Sequence, residues 1–270
     1  MNLAPTPHAE RPVGELLRGW RQRRRLSQLD LAVDADVSTR HLSCVETGRS
    51  LPSREMLLRL SERLDVPLRE RNRLMTAAGY APMFRERRLD DPALAAARAA
   101  IDLLLAGHEP YPAIAIDRHW TMVAHNAAVP RLLAGIDAAL LAPPVNVLRL
   151  SLHPQGLAPR IVNLAQWRAH LFARLRQQVD ASGDAVLAAL MDELLAYPAP
   201  AGAAEAHGDA LGGVIVPLQI ASPAGVLSLL STTTVFGTPV DITLSELALE
   251  TFFPADAATG EALRGLAAAH

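Results

Sequence analysis

The stretch SQLDLAVDADVSTRHLSCVETGRSLPS, from Ser27 to Ser53, contains two short helical segments in succession, each preceded by a serine. Ser27 and Ser38 suit the N-cap position, because a serine hydroxyl accepts hydrogen bonds from backbone N–H groups two or three residues further on. Asp36 lies between the segments, and aspartate is one of the few residues besides glycine that tolerate a left-handed backbone. The stretch therefore predicts two helices joined by a tight turn.

The second of these helices is predicted over residues 39–47, with Gly48 as its C-terminal stop. Leu42 and Val45 lie three residues apart and are expected to face inward. In a helix-turn-helix, the leading end of the second helix enters the DNA major groove, where arginine pairs with guanine and serine or threonine contacts either base type. We therefore predict DNA contacts from the residues at this end, which are Ser38, Thr39, Arg40, His41 and Ser43.

Two further residues flank this helix pair and are candidates for phosphate contacts. Gln28 begins the first helix, and Arg49 follows the second. Phosphate contacts of this kind position a protein on the duplex without reading its sequence. Helix-turn-helix geometry also serves in plain packing, so spacing alone leaves a purely structural role open.

Charge is unevenly distributed along the chain. Residues 1–85 carry 15 arginines and 10 acidic residues, a balance of +5, whereas residues 86–270 carry 11 arginines and 18 acidic residues, a balance of −7. A basic first region favours contact of that region alone with a polyanion.

The length of 270 residues, half of them apolar, is comfortable for two domains. We predict a mainly α first domain and an α+β second one, with a flexible N-terminus over 1–12, a DNA-binding domain over 13–80, a linker over 81–92 and a second domain over 93–270. The single cysteine, Cys44, excludes internal disulfides and fits a reducing compartment. No signal-like or membrane-spanning run occurs, so we expect a cytoplasmic protein.

The second domain is predicted as two strands, then helices, then three strands. Periodicity predicts helices near 92–107, 159–180, 185–195 and 255–268, and strands near 113–117, 120–125, 214–220, 225–237 and 243–253. The three late strands are expected to complete an antiparallel sheet begun by the early hairpin, which is the order of a PAS-like fold.

Catalytic and metal-binding signatures are absent from the sequence. It contains no G-x-S-x-G, H-E-x-x-H, P-loop or G-x-G-x-x-G pattern. His119 and His125 could approach each other across the hairpin, but no carboxylate lies at ligand spacing to complete a metal or haem site. We therefore expect neither an enzyme nor a bound cofactor.

The segment LSQLDLA…VSTRHLSCVETGRSLPSREML resembles the DNA-binding domain of Xre/Cro-type regulators, and the similarity extends over Val13 to Gly79. It implies a five-helix domain in which Gln28 touches the DNA backbone and Thr39, Arg40, His41 and Ser43 lie toward the bases. Glu46 and Gly48 match the E-x-G close of that motif, where we interpret Glu46 as structural; Asp36 replaces the commoner turn glycine.

Two later segments, HEPYPAIAIDRHWTMVAHNAA and FGTPVDITLSELALETFFPADAATG, resemble the MmyB-like ligand-binding domain. The resemblance implies a pocket for a small apolar, fatty-acyl-like molecule between the sheet and its covering helices. Candidate lining residues are Trp120, Trp167, Phe172 and Phe236, and candidate polar anchors are Asn126 and Arg168. An ordinary core position is the commoner role for each of these aromatic residues, and Asn126 also suits a helix-cap position.

Together these patterns predict a transcriptional regulator that binds a two-fold operator as a homodimer, because one helix-turn-helix module buries too little surface to be specific alone. The ligand would bias the spacing of the two recognition helices. The alternative keeps DNA binding but makes the second domain a dimerisation or partner-docking scaffold without a ligand.

Overall fold

A computed structural model of the chain describes residues 11–198, 216–237, 239 and 241–268. These residues form two compact units. Of the described residues, unit 1 comprises 11–86 together with Asp241 and Ile242, and unit 2 comprises 87–198, 216–237, 239 and 243–268. Each unit has its own hydrophobic core. Within the described ranges, no helix is both long and apolar enough to cross a bilayer.

Unit 1 consists of five helices, as the sequence predicted. They are α1 (Val13–Arg23), α2 (Gln28–Asp34), α3 (Thr39–Glu46), α4 (Arg54–Arg63) and α5 (Leu68–Ala77). The Ser27 hydroxyl accepts from the Asp30 N–H at 3.1 Å, and the Asp30 carboxylate accepts from the Ser27 N–H at 3.0 Å, so α2 begins with a complete capping box. Ser38 caps α3 in the predicted way, accepting from the His41 N–H.

The turn between α2 and α3 uses the backbone conformation that its sequence suggested. Asp36 has a φ of 51°, in the left-handed region. The Arg59 guanidinium, on α4, donates to the carbonyl oxygens of Ala35 and Asp36 at 3.3 and 3.4 Å. The Asp36 N–H also donates to the Val33 carbonyl at 3.2 Å, so the turn is held by both α2 and α4.

The helices of unit 1 pack without space to spare where α1 meets α3. A Cβ atom added at Gly14 would lie 2.2 Å from the carbonyl oxygen of Val45, which is far inside van der Waals contact. Leu17, Leu42 and Leu57 of the same core are fully buried. Glycine at position 14 thus sets the distance between α1 and α3.

Unit 2 combines helices with one sheet. Its helices are α6 (Ala95–Gly107), α7 (Ala128–Leu132), α8 (Ala138–Leu141), α9 (Val147–Leu152), α10 (Leu164–Ser182), α11 (Ala185–Leu195), α12 (Ile242–Ser245, which begins in unit 1) and α13 (Ala257–Ala268). Its strands are β1 (Ala113–Ile116), β2 (Met122–His125), β3 (Leu218–Ser222), β4 (Gly225–Val235) and β5 (Ala248–Pro254).

The five strands form one antiparallel sheet in the order β2-β1-β5-β4-β3. The predicted joining of the early hairpin to the three late strands is confirmed, because β1 pairs with β5 over Ala113↔Thr251 to Ile116↔Ala248. One face of the sheet packs against α7, α9 and α10, and the other packs against Ile101 and Leu105 of α6.

Both edges of the sheet are bordered by short extended segments. At the β3 edge, Ile161 forms a bridge with Ile220, and the Val162 N–H donates to Gln219. At the β2 edge, Thr121 forms a bridge with Asn146, and the Met122 N–H donates to the Val145 carbonyl.

Several predicted boundaries in unit 2 are wrong. The second strand begins at Met122 rather than Trp120, and the third begins at Leu218, so that Val216 and Pro217 precede it. The long helix begins at Leu164 rather than Pro159, because the preceding residues pair with the β3 edge and Asn163 donates to the Pro217 carbonyl. The last strand begins at Ala248, since residues 242–245 form α12. The final helix begins at Ala257 rather than Ala255. The predicted loop over 196–213 and the strand residue Val214 lie mostly or wholly outside the described residues.

Candidate nucleic-acid interface and internal cavity

The leading end of α3 is presented at the surface of unit 1. Arg40 and His41 are exposed, and Thr39 and Ser43 are half-buried, whereas Leu42 and Val45 are fully buried. The polar residues that the sequence assigned to the bases therefore share the outward side of the helix. Arginine, histidine, threonine and serine side chains in this arrangement supply hydrogen-bond donors and acceptors suited to base edges.

The remaining predicted contact residues are Ser38, Arg49 and Gln28. Ser38 is exposed, and its hydroxyl is engaged as the cap of α3. Arg49 is exposed just beyond the helix. Gln28 is half-buried, and its side-chain amide donates to the Glu46 carboxylate at 2.8 Å. An amide nitrogen carries two hydrogens, so one remains after this bond.

A buried ion pair fixes α3 against α1. The Arg21 guanidinium donates to both carboxylate oxygens of Glu46 at 2.6 and 2.8 Å, and also to the Leu26 carbonyl. The Glu46 side chain is 1% exposed. Burial raises the pKa of this carboxyl, but the hydrogen bonds from Arg21 and Gln28 outweigh it, and its pKa lies below the ordinary value.

Sequence reasoning identified Glu46 as structural but did not find its partner. Arg21 lies 25 residues earlier, within a run of arginines that offers no means of choosing one. The consequence is that one carboxylate links α1, α2 and α3, since Arg21 and Gln28 both donate to it.

Unit 2 contains an apolar cavity of about 110 Å³ between the sheet and its helices. The sheet contributes Ile114, Met122, Leu218, Ile220, Leu229 and Phe252. The helices contribute, among others, Val129, Leu132, Leu148, Ser151, Trp167 and Leu171. None of the described residues lining the cavity is ionisable.

One predicted lining residue borders this cavity. Trp167 contacts it with its ring and donates its Nε1–H to the Ser151 hydroxyl at 3.0 Å. Trp120 is buried elsewhere: its Nε1–H donates to Gln178 at 2.7 Å, and the Arg174 guanidinium lies 4.8 Å from its ring centre. Phe236 packs on the opposite face of the sheet.

The two predicted polar anchors are engaged with backbone groups. Asn126 is buried; it donates to the Leu105 and Tyr111 carbonyls and accepts from the Ala113 N–H. Arg168 donates to the Leu194 and Leu195 carbonyls at the end of α11, and its guanidinium lies 5.0 Å from the Phe172 ring centre.

A polar cluster that the sequence did not suggest lies between α10 and the sheet. Arg174 donates to Glu250 at 2.6 Å and to Thr233 at 3.0 Å. Burial, reinforced by the Arg174 charge, lowers the pKa of His170 despite the opposing effect of Glu250. His170 stacks on Trp167 with 5.4 Å between ring centres, so the cluster adjoins the cavity wall.

The two hairpin histidines have separate partners. His119 pairs with Asp184 through Nε2 at 2.9 Å, and His125 contacts the Asn126 carbonyl through Nδ1. Among the residues that the structure describes, no group of three or more histidine, cysteine or acidic side chains could hold a metal ion.

Two family models match the chain, one over each unit. A helix-turn-helix domain model matches residues 12–74, which cover most of α1 to α5. A model of the MmyB-like transcription regulator ligand binding domain matches residues 97–266. A comparison with curated proteins gave no match.

These matches, with the exposed end of α3, define a DNA-binding transcription regulator with a C-terminal ligand-binding domain. Because the second model covers more than half of the 270 residues, the chain belongs to the MmyB-like transcription regulators.

Proposed function

We propose that α3 enters the major groove of an operator and reads its bases through Thr39, Arg40, His41 and Ser43. Ser38 and Arg49 lie beside the DNA backbone in this arrangement. Gln28 contacts a phosphate with the amide hydrogen that Glu46 leaves free. The observation that carries the proposal is the exposed polar end of α3 above two fully buried side chains, Leu42 and Val45.

The DNA test begins with selection of a preferred duplex from a random pool, followed by binding titrations at several salt concentrations. Arg40→Ala is expected to relax preference at one operator position by about 1–3 kcal/mol. Arg49→Ala is expected to weaken binding to cognate and random duplexes equally and to reduce the salt dependence by about one phosphate contact.

Arg176→Ala is the matched control for these titrations, because Arg176 is exposed on α10 in unit 2 and its removal changes the net charge equally. It should leave both affinities unchanged. Equal losses on cognate and random DNA for Arg40→Ala would remove Arg40 from the set of base-reading residues. A wild-type chain that ignores duplexes at low salt would refute the proposal as a whole.

The regulator acts as a homodimer in this proposal. One helix-turn-helix unit contacts a single half-site, and two copies on a two-fold operator supply the contact area that specificity requires. A sedimentation measurement of the protein on its selected duplex tests this, and a ratio of one chain per duplex at saturation would contradict it.

The cavity of unit 2 is the proposed site of a small apolar, fatty-acyl-like effector. Its apolar lining and its place between sheet and helices support this. A volume of about 110 Å³ is below the roughly 300–1,000 Å³ of ordinary ligand pockets. A larger ligand would therefore displace the helix layer, which gives it different affinities for two conformations and hence a means of regulation.

Native mass spectrometry of the purified protein tests for a copurified apolar molecule, and thermal denaturation with short-chain alkanes and fatty acids tests for binding. The expected results are a retained ligand or a raised melting temperature, with altered Trp fluorescence because Trp167 borders the cavity. If no compound raises the melting temperature or alters operator affinity, the effector role is wrong.

The small cavity volume also favours a second candidate function, in which unit 2 is a scaffold for dimerisation or partner docking without a ligand. In neither candidate does unit 2 catalyse a reaction. The two candidates differ in the mass spectrum and in the ligand dependence of operator binding.

A further inference from the structure

Of the described side chains that line the cavity of unit 2, only Ser151 on α9 carries a hydroxyl group. Ser151 is 8% exposed, so this hydroxyl is almost wholly withdrawn from bulk water. The Trp167 Nε1–H donates to the Ser151 oxygen at 3.0 Å, and the bond is buried. Both residues line the cavity, so the bonded pair forms part of its wall.

The Ser151 hydroxyl has a hydrogen left to donate. A serine hydroxyl carries one donor hydrogen and two acceptor lone pairs, and the bond from Trp167 occupies only a lone pair. A helical serine often donates to the carbonyl group four residues earlier, as Ser182 donates to Gln178 at 2.7 Å on α10. Among the residues that the structure describes, Ser151 makes no such bond and donates to no other acceptor.

Water is poorly suited to accept this hydrogen. A buried water molecule usually has about two to four polar partners, whereas the described lining side chains offer the Ser151 hydroxyl and an indole N–H that is already used. A buried donor without an acceptor costs free energy, because folding removes its bond to bulk water. A ligand that brings an acceptor to Ser151 recovers this free energy, and the rest of its surface meets apolar side chains.

Charge decides which kind of acceptor fits. None of the described lining residues is ionisable, so a carboxylate or phosphate inside the cavity would have no cation in the wall beside it. The Arg174 guanidinium, on the same helix as Trp167, is bonded to Glu250 and Thr233 instead. An unpaired buried anion is far costlier than a buried neutral carbonyl group that accepts one hydrogen bond. The cavity therefore favours a neutral acceptor.

We infer that Ser151 donates a hydrogen bond to a neutral carbonyl oxygen of the effector, as found in acyl esters, amides and ketones. The inference rests on the effector site of the proposed function and names the chemical class of its ligand. The hydrocarbon part of the ligand lies against the aliphatic side chains of the wall. A cavity of roughly 150 Å³ holds benzene, so one of about 110 Å³ holds a molecule of about six non-hydrogen atoms without displacement of the helices.

Three probes with equal numbers of carbon atoms test the inference on the full chain: 2-pentanone, n-pentane and pentanoate. Titrations follow the Trp167 indole N–H signal by NMR at about pH 7.5, where pentanoate is ionised. Ser151→Ala should weaken binding of 2-pentanone at least about 3-fold, because the carbonyl oxygen loses its donor, and should leave binding of pentane within about 2-fold of wild type. Wild type should bind pentanoate at least about 30-fold more weakly than 2-pentanone.

Two controls separate this hydrogen bond from a change in packing. Ser182→Ala removes a helical serine hydroxyl that does not line the cavity, so it should bind all three probes like wild type. The infrared C=O stretch of bound 2-pentanone should lie at a lower frequency in wild type than in Ser151→Ala, because hydrogen bonding weakens the C=O bond. The wild-type band should also lie below that of 2-pentanone in hexane, a comparison that needs no variant.

Any one of three results would overturn the inference: a smaller loss of 2-pentanone affinity in Ser151→Ala, a wild-type C=O band no lower than in hexane, or pentanoate bound more tightly than stated. If pentane still binds in such a case, the cavity remains the proposed effector site and only the assignment of Ser151 and of the ligand class is lost. If none of the three probes binds wild type, the proposed effector role fails together with the inference.

Discussion

The cores of the two units differ in how completely they are filled. In unit 1 the backbones of α1 and α3 touch at Gly14, and Leu17, Leu42 and Leu57 are wholly buried. In unit 2 the layer between sheet and helices contains a cavity bounded by Trp167 and its neighbours. A fully packed core favours one arrangement of the helices around it. A core that contains a cavity can instead accept a small molecule and rearrange around it.

The largest change in stability is expected when the charge that links three helices of unit 1 is removed. Glu46→Gln leaves the Arg21 guanidinium, whose side chain is 11% exposed, without a counter-charge, and breaking a buried pair costs about 3–5 kcal/mol in the free energy of unfolding. Urea denaturation measures the loss. Glu62→Gln, at an exposed position on α4, should change it by less than about 0.5 kcal/mol. Similar effects of the two substitutions would show that α3 is not held by this pair.

Gly14→Ala tests the close contact directly. The new methyl group would meet the Val45 carbonyl oxygen, so α3 must shift, at a cost of about 1–3 kcal/mol. Gly19→Ala on the same helix is the control: nothing lies within 4 Å of its Cβ position, and alanine should stabilise the helix by about 0.5–1 kcal/mol. The prediction is contradicted if both substitutions change stability in the same direction.

The same substitution, Val to Ile, adds one methylene group and can be made in both cores for comparison. Val45→Ile enlarges a side chain in the filled core of unit 1 and should cost about 1 kcal/mol. Val129→Ile enlarges a side chain at the cavity wall of unit 2 and should be neutral or stabilising by about 0.5 kcal/mol. Thermal denaturation distinguishes the two. Equal destabilisation would mean that the cavity cannot accept even one more carbon atom.

The smallest expected effect is a difference in pH dependence. The pKa of His170 is lowered in the folded state, first by burial and then by the Arg174 charge. Below about pH 6.5 the unfolded chain therefore binds this proton more readily than the folded one, and unit 2 loses stability that it has above that pH. Glu46 also has a lowered pKa, but its contribution to unit 1 persists down to about pH 4.5 and is lost only below that.

Melting temperatures between pH 7 and 5 therefore should fall more for wild type than for His170→Gln, which lacks the titrating ring. A wild-type slope unchanged by the substitution would assign the pH dependence of unit 2 to other groups. The His119–Asp184 pair is retained in both proteins and cancels in the comparison.

Local features of α2 and α3 were predictable from the sequence, because they depend on neighbouring residues. Ser27, Ser38 and Asp36 each act within a few positions of the chain, as cap or turn residues. The alternation of Leu42 and Val45 with polar residues set the buried side of α3. For these parts of the site, interactions between residues close in sequence are enough to predict the structure.

Features of unit 2 that depend on distant pairings were not predictable in the same way. The start of α10 is decided by the β3 edge, some 55 residues later, to which Ile161 and Val162 pair. The sheet register determines which residues line the cavity, because it places Leu229 and Phe252 on one face and Leu249 on the other. Phe236 and Trp167 look equivalent in the sequence, yet they lie on opposite sides of the sheet.

The segments that border β2 and β3 have a consequence for growth of the sheet. An uncovered edge strand invites another chain to add a strand, which is a common route to aggregation. Residues 161–162 and 145–146 occupy backbone groups at the two margins of this sheet. Those backbone groups are therefore not available to an added strand, which hinders β-type association at these two places.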